Sequence, residues 1–187
     1  STVLEAPADA VWSKVRDFNG LPGWTPFVAE SRIEQGLPSD KIGCVRRFHL
    51  IDGSELREQL LTLSDADMAF SYCLLETPVP LLNYVAHVRL APVTDGDRTF
   101  WHWQCRFDTP PGRETELRDM VSQNIYCAGF QAVREYLDRT WPGAFSQLDP
   151  AYAVEAGLFG PGPAHPRLLD RLGLGFDRNG EFAVWLS

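Results

Sequence analysis

The stretch that decides the fold is Cys44–Leu90, CVRRFHLIDGSELREQLLTLSDADMAFSYCLLETPVPLLNYVAHVRL. It reads as consecutive antiparallel strands with one apolar face. Arg46, Phe48 and Leu50, then Leu56, Glu58 and Leu60, alternate with Arg47, His49, Glu55, Arg57 and Gln59, the period of two that a half-buried strand requires. Asp52-Gly53 marks the hairpin between them. A two-residue turn pairs Arg47 with Glu58. A three-residue turn pairs Phe48 with Glu58, makes Arg46 and Glu58 diagonal neighbours about 7 Å apart, and segregates apolar from charged residues better. A one-residue slip inverts every facing. An arginine and a glutamate on the inward side are costly as plain core, so the face is expected to line a ligand cavity.

Working outward, the acidic turn Ser64-Asp65-Ala66-Asp67 leads to a strand whose Met68, Phe70, Tyr72 and Leu74 face one way. Glu76–Pro80 is a proline-punctuated loop. Tyr84, Ala86, Val88 and Leu90 form one face of the next strand. After the turn Thr94–Asp97, Trp101, Trp103, Cys105 and Phe107 point inward, leaving His87 and His102 on the outer faces. Thr109-Pro110-Pro111-Gly112 breaks the sheet, and a long helix follows, about Glu114 to Arg139. Leu117, Val121, Ile125, Ala128, Ala132 and Tyr136 mark its stripe. Gly129 interrupts it, and mid-helix glycine costs about 1 kcal/mol against alanine, so a close approach or cavity space is expected there.

Upstream, Thr2–Glu5 is a strand, and Ala6-Pro7-Ala8-Asp9 opens an amphipathic helix carrying Val11, Trp12, Val15 and Phe18. Asn19-Gly20 ends it, and a short helix or turn fits Leu21–Pro26. Phe27–Gln35 and Ile42–Ile51 are strands. Downstream of Trp141 the chain changes character. Gly160-Pro161-Gly162-Pro163 is a spacer, Arg167–Leu172 a short helix, Arg178–Glu181 a turn and Phe182–Leu186 an apolar strand. The expected organisation is a domain over 1–141 and an extension over 142–187 that packs on the domain or on a second copy.

The 187 residues are 44% hydrophobic and 12% aromatic, with a net charge of −8. That acidity opposes a nucleic-acid or anionic-membrane surface, and no apolar run approaches the ~20 residues of a membrane span. The first residues, Ser1–Pro7, lack the basic start and apolar run of a signal peptide and read as the inside of a strand. Cys44, Cys73, Cys105 and Cys127 show no CxxC spacing and fit buried thiols in a reducing cytoplasm. The isolated histidines His49, His87, His102 and His165 give no metal set. No glycine-rich phosphate loop appears, and no cofactor is expected.

Strand, two short helices, six antiparallel strands and a long C-terminal helix is the helix-grip layout of the α+β class: a curved antiparallel sheet wrapped around the helix, with an internal cavity. From Val3 to Trp141 the chain resembles the START-like (SRPBCC) superfamily, which includes the birch-pollen allergen, polyketide cyclase/dehydrase-like proteins and plant abscisic-acid receptors. The resemblance rests on Val11-Trp12 with Asp17-Phe18, Trp24-Thr25-Pro26, Ile42–Arg46, Glu58-Gln59-Leu60 with Ser64-Asp65, and Pro80–Tyr84, in that order and spacing. It implies that Arg46, Phe48, Leu50, Glu58, Tyr72, Leu74, Tyr84 and Ala86 face the pocket, with Val121, Ile125 and Gly129 from the helix. It also implies that Glu76–Leu82, through Leu81, closes over a ligand. The hormone-anchoring lysine of the receptors has no counterpart near Thr25-Pro26, so neither abscisate nor a phosphatase partner carries over.

The expected ligand is a hydrophobic small molecule, lipid- or polyketide-like. Arg46 would meet its acidic or carbonyl group and Glu58 its hydroxyl, with an inter-strand ion pair as the competing role. Leu60, Phe70, Trp101 and Trp103 complete the expected wall, and Asn124 is a further polar candidate. The alternative is a cyclase or dehydratase using Glu58 or a tyrosine as acid/base. A homodimer through the extension is the other expected partner.

Overall fold

In a computed structural model, residues 1–140 and the two short strands at 174–176 and 182–184 are described. The first strand, β1 (Thr2–Leu4), is followed by α1 (Ala8–Val15), a 3₁₀ turn (Leu21–Gly23) and β2 (Val28–Ile33). The meander β3 (Val45–Leu50), β4 (Glu55–Ser64), β5 (Ala69–Glu76), β6 (Leu82–Val93) and β7 (Arg98–Asp108) comes next. A helical run closes the unit as α2 (Glu114–Met120), a π-helical segment (Val121–Cys127) and α3 (Ala128–Thr140). The seven strands form one antiparallel sheet in the order β1-β7-β6-β5-β4-β3-β2. This is the helix-grip arrangement expected from the alternation.

Much of the inward alternation becomes core, while Leu50, Leu56, Met68, Leu74, Trp103, Cys105 and Phe107 are half-buried. Phe48, Leu60, Phe70, Tyr72, Tyr84, Ala86, Val88, Leu90 and Trp101 are buried, and Val11, Trp12 and Val15 of α1 join them. His87 and His102 are exposed, as their outward positions require. Bulges interrupt the pairing of β4 with β5 at Arg57/Glu58 and Leu60/Thr62, and of β6 with β7 at Leu82/Val85. Extra residues of this kind bend a strand, which suits a curved sheet. Asp65 in the β4–β5 turn accepts hydrogen bonds from Trp12 Nε1 (2.8 Å) and Arg16 Nε (2.7 Å), tying α1 to the sheet.

Three expectations need correction. The hairpin register is neither of the two anticipated: Arg46 lies directly opposite Glu58, and Phe48 opposite Leu56. The turn is Ile51-Asp52-Gly53, closed by Leu50 N–H donating to the Ser54 carbonyl (2.8 Å), with Gly53 at φ 87°. It keeps the favoured facing but moves the pair from diagonal to direct opposition. The helical stripe also departs from Leu117-Val121-Ile125-Ala128-Ala132-Tyr136. Beyond Ile125 the buried positions are Gly129, Phe130, Ala132, Val133 and Leu137. The π-helical segment accommodates an extra residue per turn and moves the apolar face one position along. Finally, only Cys44 is a buried thiol; Cys73 and Cys105 are half-buried and Cys127 is exposed. Cys127 sits on the π segment, whose altered phase turns it outward.

The chain divides into two units, Ser1–Pro142 and Gly143–Ser187. In the second, β8 (Leu174–Phe176) pairs antiparallel with β9 (Phe182–Val184). The expected helix Arg167–Leu172, the spacer at 160–163, the turn Arg178–Glu181 and His165 lie outside the described residues.

Candidate functional site

Between the sheet, the helix and the loops after α1 and β5 lies a cavity of about 250 Å³. Its wall takes Arg46, Phe48 and Leu50 from β3, Leu56 and Glu58 from β4, Tyr72 and Leu74 from β5, and Tyr84 and Trp103 from β6 and β7. Met120, Asn124, Ile125 and Gly129 come from the helical run. Thr77, Pro78, Val79 and Leu81 of the β5–β6 connection and Leu21, Trp24, Thr25, Phe27 and Val28 near the 3₁₀ turn complete it.

Of the residues expected at the wall, Leu60, Phe70, Ala86, Trp101 and Val121 sit instead in packed core. The reason is depth along each strand. Phe70 is covered by Trp12 and Phe18, with ring centroids 6.2 and 6.4 Å away. Trp101 is covered by Trp24 (6.0 Å) and Phe130 (5.6 Å). Leu60 and Ala86 are fully buried. Sequence reasoning missed the group Leu21–Val28 and Met120. The available signal was Trp24, an aromatic residue in a Pro/Gly-rich segment where no regular element explains it.

Among the described residues, Arg46 and Glu58 are the only charged ones on the wall. Their side chains are 6% and 8% exposed, so the pair is desolvated. Arg46 Nε donates to Glu58 Oε2 (2.6 Å), and Arg46 Nη2 approaches the same oxygen. Arg46 Nη1 donates to the Phe18 carbonyl (2.6 Å), so one guanidinium joins the loop after α1 to β3 and β4. The guanidinium carbon lies 4.0 Å from the Phe18 ring centroid and 5.4 Å from those of Phe48 and Tyr72. These are cation–π distances, favourable where water is excluded. Burial pushes the Glu58 carboxyl above the usual range, against the pull of Arg46. Glu58 Oε1 accepts no hydrogen bond among the described residues.

The other polar groups on the wall are hydroxyls, the Asn124 amide and the Trp24 Nε1 donor, which has no hydrogen-bond partner among the described residues. Trp103 Nε1 donates to Tyr72 Oη (3.2 Å), and Tyr84 Oη lies 3.1 Å from Tyr126 Oη. Burial raises Tyr72, Tyr84 and Tyr126 above the ordinary phenol range, so all three stay protonated at neutral pH. Thr25 Oγ1 donates to the Leu21 carbonyl. Trp103 stacks on Tyr126 at 4.5 Å and meets Phe130 edge-on. It also explains Gly129: a Cβ there would stand 2.8 Å from Trp103 Cζ3. The glycine is required by close approach of the aromatic wall.

Among the described residues there is no cluster of three His, Cys, Asp or Glu side chains suited to a metal ion. No helix among them is long and apolar enough to cross a membrane.

Comparison with known proteins agrees with this geometry. A solution NMR structure from Thermobifida fusca is 26% identical, with TM-score 0.66, covering 75% of this chain and 91% of that one. An uncharacterized protein from Bacillus thuringiensis is 24% identical, with TM-score 0.63, covering 72% and 93%. The protein XoxI from Bacillus cereus is 24% identical, with TM-score 0.63, covering 72% and 90%. No curated protein matches the chain. The family profile described as "Polyketide cyclase / dehydrase and lipid transport" matches residues 1–138. With the seven-stranded sheet gripping a long helix, this match shows that the chain belongs to the polyketide cyclase/dehydrase and lipid transport family.

Proposed function

We propose that the protein binds a hydrophobic small molecule in the cavity between sheet and helix. The observation that carries this reading is a largely apolar hollow of about 250 Å³ holding one desolvated ion pair. A protein interior normally closes to voids no larger than a water, and an apolar cavity of about 150 Å³ already takes a benzene ring. The volume therefore suits a bicyclic or short-chain ligand. Thr77, Pro78, Val79 and Leu81 all border the cavity, which supports Glu76–Leu82 as a loop that closes over the ligand.

Native mass spectrometry of the purified protein, followed by solvent extraction, tests the reading. An adduct released by denaturation is expected. Bare protein, together with no thermal shift from any compact apolar probe, would overturn it. A Leu50→Trp variant, filling the wall near the β3–β4 turn, should lower probe affinity at least tenfold while remaining folded.

A second reading, a cyclase or dehydratase, is favoured by the Glu58 carboxyl alone. It is buried, raised by desolvation, and has one uncommitted oxygen. In that role it would take a proton from a substrate carbon during aldol closure. Turnover of a poly-ketone chain that survives Glu58→Gln would remove the carboxyl as base.

The reading places the protein in the cytoplasm, where four free thiols are stable. It assigns residues 142–187 to self-association as a homodimer, on the apolar composition of Phe182–Trp185.

A further inference from the structure

Among the described residues the wall carries one cation and one anion, and they are committed to each other unequally. Every Arg46 nitrogen is engaged: two meet Glu58 Oε2, the third donates to the Phe18 carbonyl, and the Phe18 ring covers the guanidinium face at 4.0 Å. Both contacts to Glu58 end on Oε2, leaving Oε1 as an acceptor without a donor among the described residues. A carboxylate accepts up to about four hydrogen bonds, so the acid keeps a whole oxygen free while every nitrogen of the base already has a partner.

Three ligand classes can be weighed against that arrangement. A ligand carboxylate would enter a desolvated site beside Glu58, and the one cation able to pair with it is already neutralised. An ammonium would find Oε1 but would stand beside the Arg46 guanidinium. A neutral hydroxyl adds no charge and supplies the proton that Oε1 lacks. We infer that the cavity selects an uncharged ligand with a hydroxyl donor, which Glu58 Oε1 accepts, and that Arg46 positions this carboxyl without touching the ligand's polar group. The inference rests on the proposed binding function and corrects the expected pairing of Arg46 with an acidic ligand group. The volume sets the size to about a bicycle, since roughly 150 Å³ holds benzene.

The test uses the full chain and three probes of one shape: 2-naphthol, 2-naphthoate and 2-naphthylmethylammonium, titrated calorimetrically at neutral pH. Naphthol is expected to bind at least tenfold tighter than either ion. A naphthoate preference, an ammonium preference or equal affinities would overturn the inference while leaving small-molecule binding in place. Failure of all three to bind, with no adduct in native mass spectra, would overturn the binding function and the inference together. In Glu58→Gln the guanidinium loses its carboxylate, so the preference should turn toward naphthoate by about tenfold. A Glu58→Gln protein that folds and still prefers naphthol by the same factor would also overturn it. Should that variant not fold, Arg46→Met with Glu58→Leu takes its place. This double change must abolish the discrimination, and retained discrimination would refute the role of Glu58.

Discussion

Arg46 and Glu58 face each other across β3 and β4 in surroundings that are otherwise aromatic and aliphatic. Removing one partner leaves a buried charge alone, which costs about 3–5 kcal/mol, whereas replacing both by well-packed apolar groups is near neutral or stabilising. Arg46→Met and Glu58→Leu should therefore each destabilise strongly, and the double variant should regain most of the loss in urea denaturation. Gly129→Ala is expected to lose about 1–3 kcal/mol from overpacking on Trp103, more than the roughly 1 kcal/mol of helix propensity it gains. Trp103→Phe should relieve the collision, so a double-mutant cycle should show favourable coupling. The two charges on the apolar face were legible from alternation alone. Their direct opposition was not, because sliding a hairpin by two residues changes every partner and no facing. Only the closure at Leu50 and Ser54 distinguishes the registers.

At the scale of elements, the outer face of β3, β4 and β5 carries a charge ladder that reaches Glu34, just past β2. Glu34 is held by Arg57 (2.7 Å) and Arg47 (3.1 Å), Arg47 reaches Glu55 (3.0 Å), and Arg57 reaches Glu76 (2.5 Å). The two arginines, Arg57 foremost, pull the Glu34 carboxyl from 4.5 to about 2. A depressed carboxyl contributes stability above its unfolded value and loses it as pH falls through the folded one. Wild type should thus exceed Glu34→Gln in stability at neutral pH, and the gap should narrow below 4.5 and vanish near 2, read by denaturation at each pH. The long helix was legible to about one residue at each end. Its phase was legible as far as Ile125 and again at Ala132, but Ala128 and Tyr136 give way to Gly129, Val133 and Leu137, since periodicity assumes 3.6 residues per turn throughout and nothing in Val121–Cys127 announces wider turns. The same wider turns bring Tyr126 onto Trp103, a contact that α-helical spacing would not place. Deleting exposed Gln123 should remove the extra residue and restore an α-helical path with Val133 and Leu137 still facing the sheet, so thermal unfolding should stay cooperative.

For the whole molecule, the order of strands was readable because each connection from β3 to β7 is short and carries its own turn signal. The Leu21–Val28 part of the cavity wall was not, since it belongs to no periodic element and becomes wall only through the packing of Trp24 on Trp101. The self-association assigned to residues 142–187 belongs to this scale: a chain ending at Pro142 should run as a monomer in light scattering, well under half the particle mass of the full chain, whose dimer is twice 21.0 kDa. The pairing of β1 with β7 joins residues about a hundred positions apart, and such non-local contacts are slow to form. Thr99 seals that pairing by donating from Oγ1 to the Ala6 carbonyl (2.6 Å). Thr99→Val should raise hydrogen exchange in Thr2–Leu4 while leaving the β4–β5 amides protected. On the ribosome, then, β1 is made long before the strand it pairs with. Val3 and Leu4 emerge with no sheet to join until β7 has been made, so the interval most exposed to misassociation is set by the translation time of everything between them.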